Sequence, residues 1–259
     1  MRRQLSLNTS VCAASLWTIC ALVLLSVTTG VIAGETRVAV ASNFTVAANA
    51  IGALFERETG HLPIFSFGAT GQLYTQVTQG APYDVFLAAD KTRPARAVEE
   101  GYAVAGTRFT YANGRLALFS REASRVNGKS TLTGAENVRI AIANPVIAPY
   151  GAAAISVLRS LGVYEKLQSR LVRGTNIAQA YQFAFTGNAA LGFVALSQVV
   201  GRKDGSHWVV PAYLHPTIAQ DAVLLRHGAH NAAAHAFIAF LKDEKVRLVI
   251  EKFGYGSEE

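Results

Sequence analysis

Residues 37–57 have the sequence RVAVASNFTVAANAIGALFER and decide the fold. The apolar run at 37–41 predicts a buried strand. Over residues 45–57, apolar side chains recur at the spacing of one helix face, and Gly60 follows as a typical residue for ending a helix. The stretch therefore predicts one strand–helix unit of an α/β protein.

The alternation of short apolar runs with helical periodicity continues along the chain. Further strands are predicted at 62–67, 85–88, 115–119, 139–143, 170–173 and 191–195. Further helices are predicted at 71–78, 92–100 and 150–161, from residue 177 onward, and at 230–242 and 244–253. This order is typical of an α/β fold with two similar lobes, each a mostly parallel sheet flanked by helices.

The lobes are assigned to three segments of the chain. Residues 34–112 form the first segment of lobe 1, residues 113–212 form lobe 2, and residues 213–259 return to lobe 1. No Pro/Gly/Ser-rich linker or run of charge separates these segments. We therefore expect crossing strands, rather than a flexible tether, to join the lobes.

Three predicted strand-to-helix turns consist of small or hydroxyl-bearing residues and carry no basic side chain. They are Ala41-Ser42-Asn43, Gly68-Ala69-Thr70-Gly71, and Asn144-Pro145 continuing to Pro149-Tyr150-Gly151. A helix that begins at such a turn directs free N–H groups and the positive end of its dipole outward, which suits an anion. Helix capping or turn formation would also account for each turn taken alone. Their recurrence at equivalent places in two lobes favours an anion site.

Residues 1–33 have the pattern of a signal peptide. Arg2 and Arg3 precede an apolar stretch at 11–32, and the small or medium-sized residues that end it favour cleavage after Ala33. The predicted location is therefore the periplasm. A retained membrane-spanning helix is the alternative, since about 20 apolar residues span a bilayer. The arginine pair also leaves twin-arginine export open.

Removal of this segment would leave no cysteine, because Cys12 and Cys20 both lie within it. A disulfide framework, a thiol nucleophile and a cysteine metal site are then excluded. The formal net charge would fall from +7 to +5 with the loss of Arg2 and Arg3, because no acidic residue precedes Glu35. The remaining basic residues are scattered and not interleaved with aromatic rows, so nucleic acid is not an expected partner.

Six blocks of sequence, in order along residues 37–255, resemble the periplasmic molybdate-binding proteins of ABC importers, a branch of the type II solute-binding fold. The blocks are VAVASNF (38–44), SFGATG (66–71), GAPYDVFLAAD (80–90), RFTYA (108–112), NPVIAPYG (144–151) and LGFVA (191–195). The resemblance implies a ligand cleft between two lobes and capture of molybdate, or of tungstate, for delivery to a membrane permease. It implies no enzymatic activity, no cofactor and a monomer.

The same resemblance assigns oxyanion-binding roles to individual residues. Ser42 and Thr70 stand where the family places Ser or Thr residues with hydroxyl donors. Tyr150 and Ile177 stand where backbone N–H groups of the second lobe reach the oxyanion. The metal atom of molybdate is expected to be held only through its oxygens, with no protein ligand to the metal itself.

The chain departs from the family pattern at Ala195. Some members carry a tyrosine there whose hydroxyl donates to the oxyanion, and alanine has no such donor. Asn43 is expected to replace it, as in the branch of the family that carries Asn directly after the Ser or Thr. Thr70, in place of the more usual Ser, adds a methyl group to the cavity.

A lining made only of hydrogen-bond donors also limits which anions bind. Amides and hydroxyls provide charge-assisted hydrogen bonds without a buried counter-ion. Monohydrogen phosphate would bury its O–H without an acceptor, at a cost of ~1–3 kcal/mol. Sulfate has the charge and shape of molybdate, so cavity size must separate the two.

Other functions remain open from the sequence. A site of this kind is compatible with another tetrahedral oxyanion such as sulfate or phosphate, whereas a ferric-ion site is poorly matched by isolated tyrosines. A secreted α/β hydrolase would need a nucleophile with a base or a metal. Asp84 and Asp90 are interpreted as strand-end residues, and residues 227–230 as a surface loop. His230 and His235 are five residues apart, which places them on different faces of a helix and does not favour a metal site.

Overall fold

Two five-stranded sheets flanked by helices organise residues 33–256, which are the residues that this computed structural model describes. In chain order the strands are β1 (Glu35–Ala41), β2 (Leu62–Gly68), β3 (Val85–Leu87), β4 (Phe109–Gly114), β5 (Leu116–Ser120), β6 (Ile140–Ala143), β7 (Leu171–Gly174), β8 (Leu191–Ala195), β9 (Ser206–Val209) and β10 (Ile218–Leu224). The helices are α1 (Thr45–Thr59), α2 (Thr70–Thr78), α3 (Thr92–Glu99), α4 (Ser130–Thr133), α5 (Pro149–Ser160), α6 (Tyr164–Leu167), α7 (Ile177–Thr186), α8 (Ala232–Phe240) and α9 (Glu244–Lys252).

The predicted signal peptide lies outside the described residues, apart from Ala33. Within residues 33–256, none of the helices combines the length and the apolar character needed to cross a membrane.

The two sheets share one topology. The first has the strand order β2-β1-β3-β10-β4 and the second has the order β7-β6-β8-β5-β9. β1 is parallel to β2 and β3, and β6 is parallel to β7 and β8. β10 is antiparallel to both of its neighbours in the first sheet, and β5 is antiparallel to both of its neighbours in the second. Four strands of each sheet thus run in one direction, which confirms the predicted α/β fold, and each sheet is mixed because one strand opposes them.

The described chain passes from the first sheet to the second and back again. Only Arg115 separates the end of β4 from the start of β5, and residues 210–217 lead from β9 to β10. Strands β4, β9 and β10 were not predicted from the sequence. The lobe bounds after residues 112 and 212 stay a prediction.

Each sheet packs against its own apolar core. Beside the first sheet, the ring of Phe55 meets the rings of Phe237 and Phe240 edge-on, with centroids 5.1 and 5.3 Å apart. Beside the second sheet, Leu158 of α5 and Phe193 of β8 are fully buried. Burial of one such side chain contributes ~1.5–3 kcal/mol. The helices are therefore held firmly on two separate sheets.

Local sequence sets the helix ends. α1 ends because Gly60 adopts a left-handed conformation, with φ of 72°, and its N–H donates to the carbonyl of Glu56. α8 begins at Ala232, two residues later than predicted, because the Asn231 side chain caps it by accepting from the N–H of Ala233 at 3.0 Å. α2 and α5 each begin one residue earlier than predicted, at Thr70 and Pro149.

Candidate functional site

A small cavity lies between the two sheets, where the first turns of several helices meet. Its volume is about 10 Å³, close to the least that holds one water-sized group. It is lined by Ala41, Ser42, Asn43, Gly68, Ala69, Thr70, Ala89, Ala148, Pro149, Tyr150 and Ile177. All five residues predicted from the sequence, Ser42, Asn43, Thr70, Tyr150 and Ile177, are among them.

Strand register brings the first-lobe residues together. β1 and β2 are parallel, and Ala41 pairs with Gly68 at their carboxyl ends. Ser42 directly follows β1, and Thr70 begins α2 with only Ala69 between it and the end of β2. Parallel strands deliver the residues that follow them to the same sheet edge. Ser42 and Thr70 therefore meet in the cavity, with 5% and 1% of their surfaces exposed.

The second lobe repeats this arrangement. β6 and β7 are parallel, and Ala143 pairs with Gly174 at their carboxyl ends. α5 carries Tyr150 as its second residue, and α7 begins at Ile177. The first N–H groups of a helix have no acceptor within the helix, so both residues stand where such groups face outward. Donors from two helix starts in each lobe thus surround one small space.

Thr70 is fixed by the neighbouring strand end. Its Oγ1 accepts from the N–H of Ala89 at 3.1 Å, and Ala89 also lines the cavity. Because the hydroxyl oxygen serves as the acceptor in this bond, the hydroxyl hydrogen is left to donate elsewhere. The bond therefore orients the hydroxyl of Thr70 for donation to a bound group.

The side chain of Asn43 is engaged within the protein. Its Nδ2 donates to Gln220 Oε1 at 2.9 Å and to the Tyr255 hydroxyl at 3.1 Å. The backbone carbonyl of Asn43 accepts from the hydroxyls of Tyr255 and Ser197, at 2.8 and 2.9 Å. Both amide hydrogens thus have acceptors. A hydrogen bond from Asn43 to a bound anion would therefore come from its backbone N–H.

Ala195, the position at which some family members carry a tyrosine, is buried at the end of β8. Its N–H donates to Gln198 Oε1 at 2.9 Å. The small residue is thus part of the core of the second sheet, and its own backbone donor is already used.

The cavity lining carries no charged side chain. Tyr150 is the one ionisable residue in it, and burial raises the pKa of its phenol well above 10, so the group stays neutral at physiological pH. An anion in the cavity would be met by N–H and O–H dipoles rather than by a counter-ion. Such a lining binds negative charge without burying a cation.

A wider cleft opens beside the cavity. It has a volume of about 390 Å³ and shares Ala89, Ala148 and Pro149 with the cavity. Lys91 and Arg93 also line it. Asp90 lines it as well and pairs with Arg93, so Lys91 supplies the net positive charge of the approach to the cavity, and that charge attracts anions.

Two contacts between the lobes border the site. The N–H of Gly71 donates to the carbonyl of Ile147 at 2.8 Å, and a guanidinium nitrogen of Arg93 donates to the carbonyl of Val146 at 3.2 Å. Arg93 is held in turn by an ion pair with Asp90. The lobes therefore meet at the edge of the cavity, and the structure is that of a closed cleft.

Comparison with known proteins identifies the family. The family model described as bacterial extracellular solute-binding protein matches residues 36–256. This chain belongs to that family. The membership agrees with two lobes that enclose a site for a small solute.

Two relatives of this solute-binding protein carry the name molybdate-binding protein ModA. The one from Rhodobacter capsulatus is 55% identical over 226 residues, which cover 87% of this chain and 90% of the relative. The one from Azotobacter vinelandii is 50% identical over 230 residues, covering 86% and 90%. The solved structure of the periplasmic molybdate-binding protein of Azotobacter vinelandii matches with a TM-score of 0.83 and 38% identity, covering 87% of this chain and all of that one.

A histidine–aspartate pair in this solute-binding protein resembles part of a hydrolase site. His227 Nδ1 lies 2.7 Å from Asp84 Oδ1. The Asp84 carboxylate also accepts from the N–H of Arg37 at 2.8 Å and from Asn231 Nδ2 at 3.1 Å. Asp84 therefore ties strand and helix ends together, as its position beside β3 indicated. Among the described residues, no group of three or more His, Cys, Asp or Glu residues could hold a metal ion.

Sequence reasoning missed the polar residues behind the cavity, Tyr111, Ser197, Gln220 and Tyr255. All four are buried, and each hydrogen bonds to Asn43 or to another member of this set. The available signal was the pair Gln220-Asp221 in an otherwise apolar stretch, where two polar residues interrupt a strand pattern.

Proposed function

We propose that this protein captures molybdate, and also tungstate, outside the cytoplasm and delivers the anion to the permease of an ABC importer. The observation that carries the proposal is the closed, uncharged cavity formed by helix starts from both lobes. Support also comes from two relatives named for molybdate binding, which are 55% and 50% identical to this chain over 226 and 230 residues.

The division of donors between the lobes suits a protein that closes on its ligand. Ser42, Asn43 and Thr70 belong to the first lobe, whereas Tyr150 and Ile177 belong to the second. Donors on one lobe alone would hold an anion without favouring the closed form. Donors on both lobes make the closed form bind more tightly, so occupancy and closure are linked. A permease that recognises the closed form would then receive loaded protein.

The donor chemistry supports a fully deprotonated tetrahedral anion. In the proposed complex, hydroxyls of Ser42 and Thr70 and backbone N–H groups of Asn43, Tyr150 and Ile177 contact the oxygens. A protonated anion would need an acceptor for its O–H, whereas this set of residues contributes hydrogen-bond donors. Sulfate carries the same charge as molybdate but is smaller, so the proposed basis for its weaker binding is that it cannot contact the donors of both lobes at once.

The remaining expectations follow from the same role. Residues 1–33 would act as a signal peptide cleaved after Ala33, and the mature protein would work in the periplasm as a monomer. The first lobe would comprise residues 34–112 and 213–259, and the second would comprise residues 113–212.

Calorimetry of the exported protein tests the proposal. The full chain is expressed, the mature protein is purified from the periplasmic fraction, and bound anion is removed by dialysis. Molybdate, tungstate, sulfate and phosphate are then titrated separately. Tight one-to-one binding of the first two, with little heat from the others, is the expected result. Selective binding of sulfate or phosphate would reassign the ligand, and silence toward all four anions would overturn the proposed function.

A further inference from the structure

Gln220 lies behind the cavity and contacts cavity residues of both lobes. Its side chain is fully buried. Its Oε1 accepts from Asn43 Nδ2 at 2.9 Å and lies 3.0 Å from the Tyr111 hydroxyl. Its Nε2 donates to the Tyr150 hydroxyl at 3.2 Å. One amide group therefore links Asn43 of the first lobe to Tyr150 of the second.

A β-bulge lies beside Gln220, and its extra residue is Tyr111 of β4. The register of β10 against β4 shifts between Gln220 and Asp221. Asp221 forms an ion pair with Arg108 and accepts from the Thr110 hydroxyl at 2.8 Å, while Gln220 reaches toward the cavity. Successive residues of a strand face opposite sides of the sheet, so Gln220 and Asp221 point in opposite directions, and bulges such as this one are common next to functional sites.

Gly114 provides the space for the link. A Cβ atom at this position would lie 2.3 Å from the Tyr150 hydroxyl and 2.5 Å from Gln220 Nε2. Both distances are far below van der Waals contact, so a larger residue would displace the pair. Gly114 is also the last residue of β4, where the chain leaves the first sheet. The link between the lobes thus lies beside the point where the backbone crosses between them.

We propose that Gln220 is a positioning residue for oxyanion capture. By holding Asn43 and Tyr150 in one network, it fixes the spacing between the backbone N–H groups of the two lobes. That spacing sets how tightly the closed cavity holds a tetrahedral oxyanion and how well it separates anions of different size. This role rests on the proposed function.

A purely structural amide would behave differently. Burial of a polar side chain costs free energy unless its partners are all present, and an apolar residue of similar size could fill the same core volume. A satisfied polar network instead restricts its members to one arrangement. The arrangement restricted here is that of two residues that line the cavity from opposite lobes.

Substitutions at both ends of the link provide the test. Gln220→Met keeps the length of the side chain and removes its hydrogen bonds, and Tyr150→Phe removes the hydroxyl while keeping the backbone N–H. The two variants, the double variant and the wild type are titrated with molybdate and sulfate, and the unfolding of the anion-free proteins is followed. Tyr83→Phe is the control. The Tyr83 hydroxyl donates to Gln76 Oε1 at 3.0 Å, and neither residue lines the cavity.

The expected result is a loss of about tenfold in molybdate affinity for Gln220→Met, with a smaller molybdate-to-sulfate affinity ratio. The double variant should bind no more weakly than the weaker single variant, because both changes break one link. Tyr83→Phe should bind as the wild type does. A structural role alone would lower the unfolding temperature and leave the affinity ratio unchanged.

Three results would overturn the positioning role. The first is wild-type affinity and affinity ratio in Gln220→Met, and the second is full additivity in the double variant. If Gln220→Met does not fold, Tyr150→Phe alone provides the test. The third result is then a Tyr150→Phe variant with wild-type molybdate affinity and a wild-type molybdate-to-sulfate affinity ratio. A wild type that binds none of the anions is a different outcome, because it overturns the proposed function as well.

Discussion

The N–H of Gly71 donates to the carbonyl of Ile147 across the cleft, at 2.8 Å. Gly71 lies in the first turn of α2, and Ile147 precedes α5, so the bond joins the two helix starts that also line the cavity. Closure of the cleft and completion of the anion site therefore occur in the same place.

Replacement of Gly71 by Ala should weaken anion binding. A Cβ atom there would lie 3.1 Å from both Cα and O of Ile147, so the lobes would have to separate slightly for it to fit. Overpacking of this kind costs ~1–3 kcal/mol. Calorimetry should show molybdate affinity reduced by about tenfold or more, while the unfolding temperature of the anion-free protein changes little.

Gly134→Ala is the matched control for this substitution. No atom lies within 4 Å of a Cβ placed at Gly134, and the residue is not in a left-handed conformation. Its affinity should equal that of the wild type. Unchanged affinity in Gly71→Ala would contradict the role of this contact in closure.

Loss of the Ser42 and Thr70 hydroxyls in the first lobe should weaken molybdate binding. Ser42→Ala and Thr70→Ala each remove a donor to a charged ligand, at a cost of ~1.5–3 kcal/mol in binding free energy. Thr70→Ser should retain most of the affinity, since it keeps the hydroxyl that accepts from the N–H of Ala89. Thr78→Ala removes an exposed hydroxyl on α2 and serves as the control. Wild-type affinity in Ser42→Ala and Thr70→Ala would place the anion elsewhere.

Arg93 should influence how long the anion stays bound. Its guanidinium donates to the carbonyl of Val146 on the opposite lobe and is paired with Asp90. Partly exposed contacts of this kind contribute ~0.5–1 kcal/mol. Arg93→Gln should therefore raise the molybdate dissociation rate about two- to fivefold in stopped-flow measurements. Arg96→Gln, which affects an exposed pair with Glu100, should not change that rate. Equal rates in the two variants would argue against a contact that holds the cleft closed.

Stability should decline as the pH rises above about 10. Burial, aided by a hydrogen bond to Glu100, raises the pKa of Tyr74 to about 12. Burial raises the pKa values of Tyr111 and Tyr150 well above 10. The unfolded chain releases these protons near pH 10 and the folded protein retains them, so a higher pH favours unfolding. Urea unfolding midpoints at increasing pH should fall, and the fall should be shallower in Tyr74→Phe; an equal slope would contradict the assignment to Tyr74.

The sequence indicated the elements in which one local signal was sufficient. The runs that form β1, β2 and β6 are apolar, and each is followed by a helix with a clear start. β10 was missed because Gln220 and Asp221 interrupt its apolar pattern, and their partners lie far away in sequence. The bond between Asn43 and Gln220, for example, spans 177 positions.

The same contrast, between local signals and contacts that are distant in sequence, applies to the residues of the site. Ser42 and Thr70 could be placed because each follows a strand, and parallel strands end at one sheet edge. The use of the Asn43 amide could not be predicted, since it depends on Tyr255 near the other end of the chain. Ser42 and Thr70 thus had local signals and Ile177 was placed by the family resemblance, whereas the residues that support the cavity are defined only by the tertiary fold.

The strand order also bears on how the chain acquires its structure. Every strand of the second sheet comes from the continuous stretch 116–209, whereas the first sheet needs β10 from near the end of the chain to lie between β3 and β4. Contacts between distant segments form slowly. A chain that emerges from a membrane with its N-terminus first would therefore complete the second sheet before the first. Until residue 224 arrives, the facing edges of β3 and β4 have no strand between them.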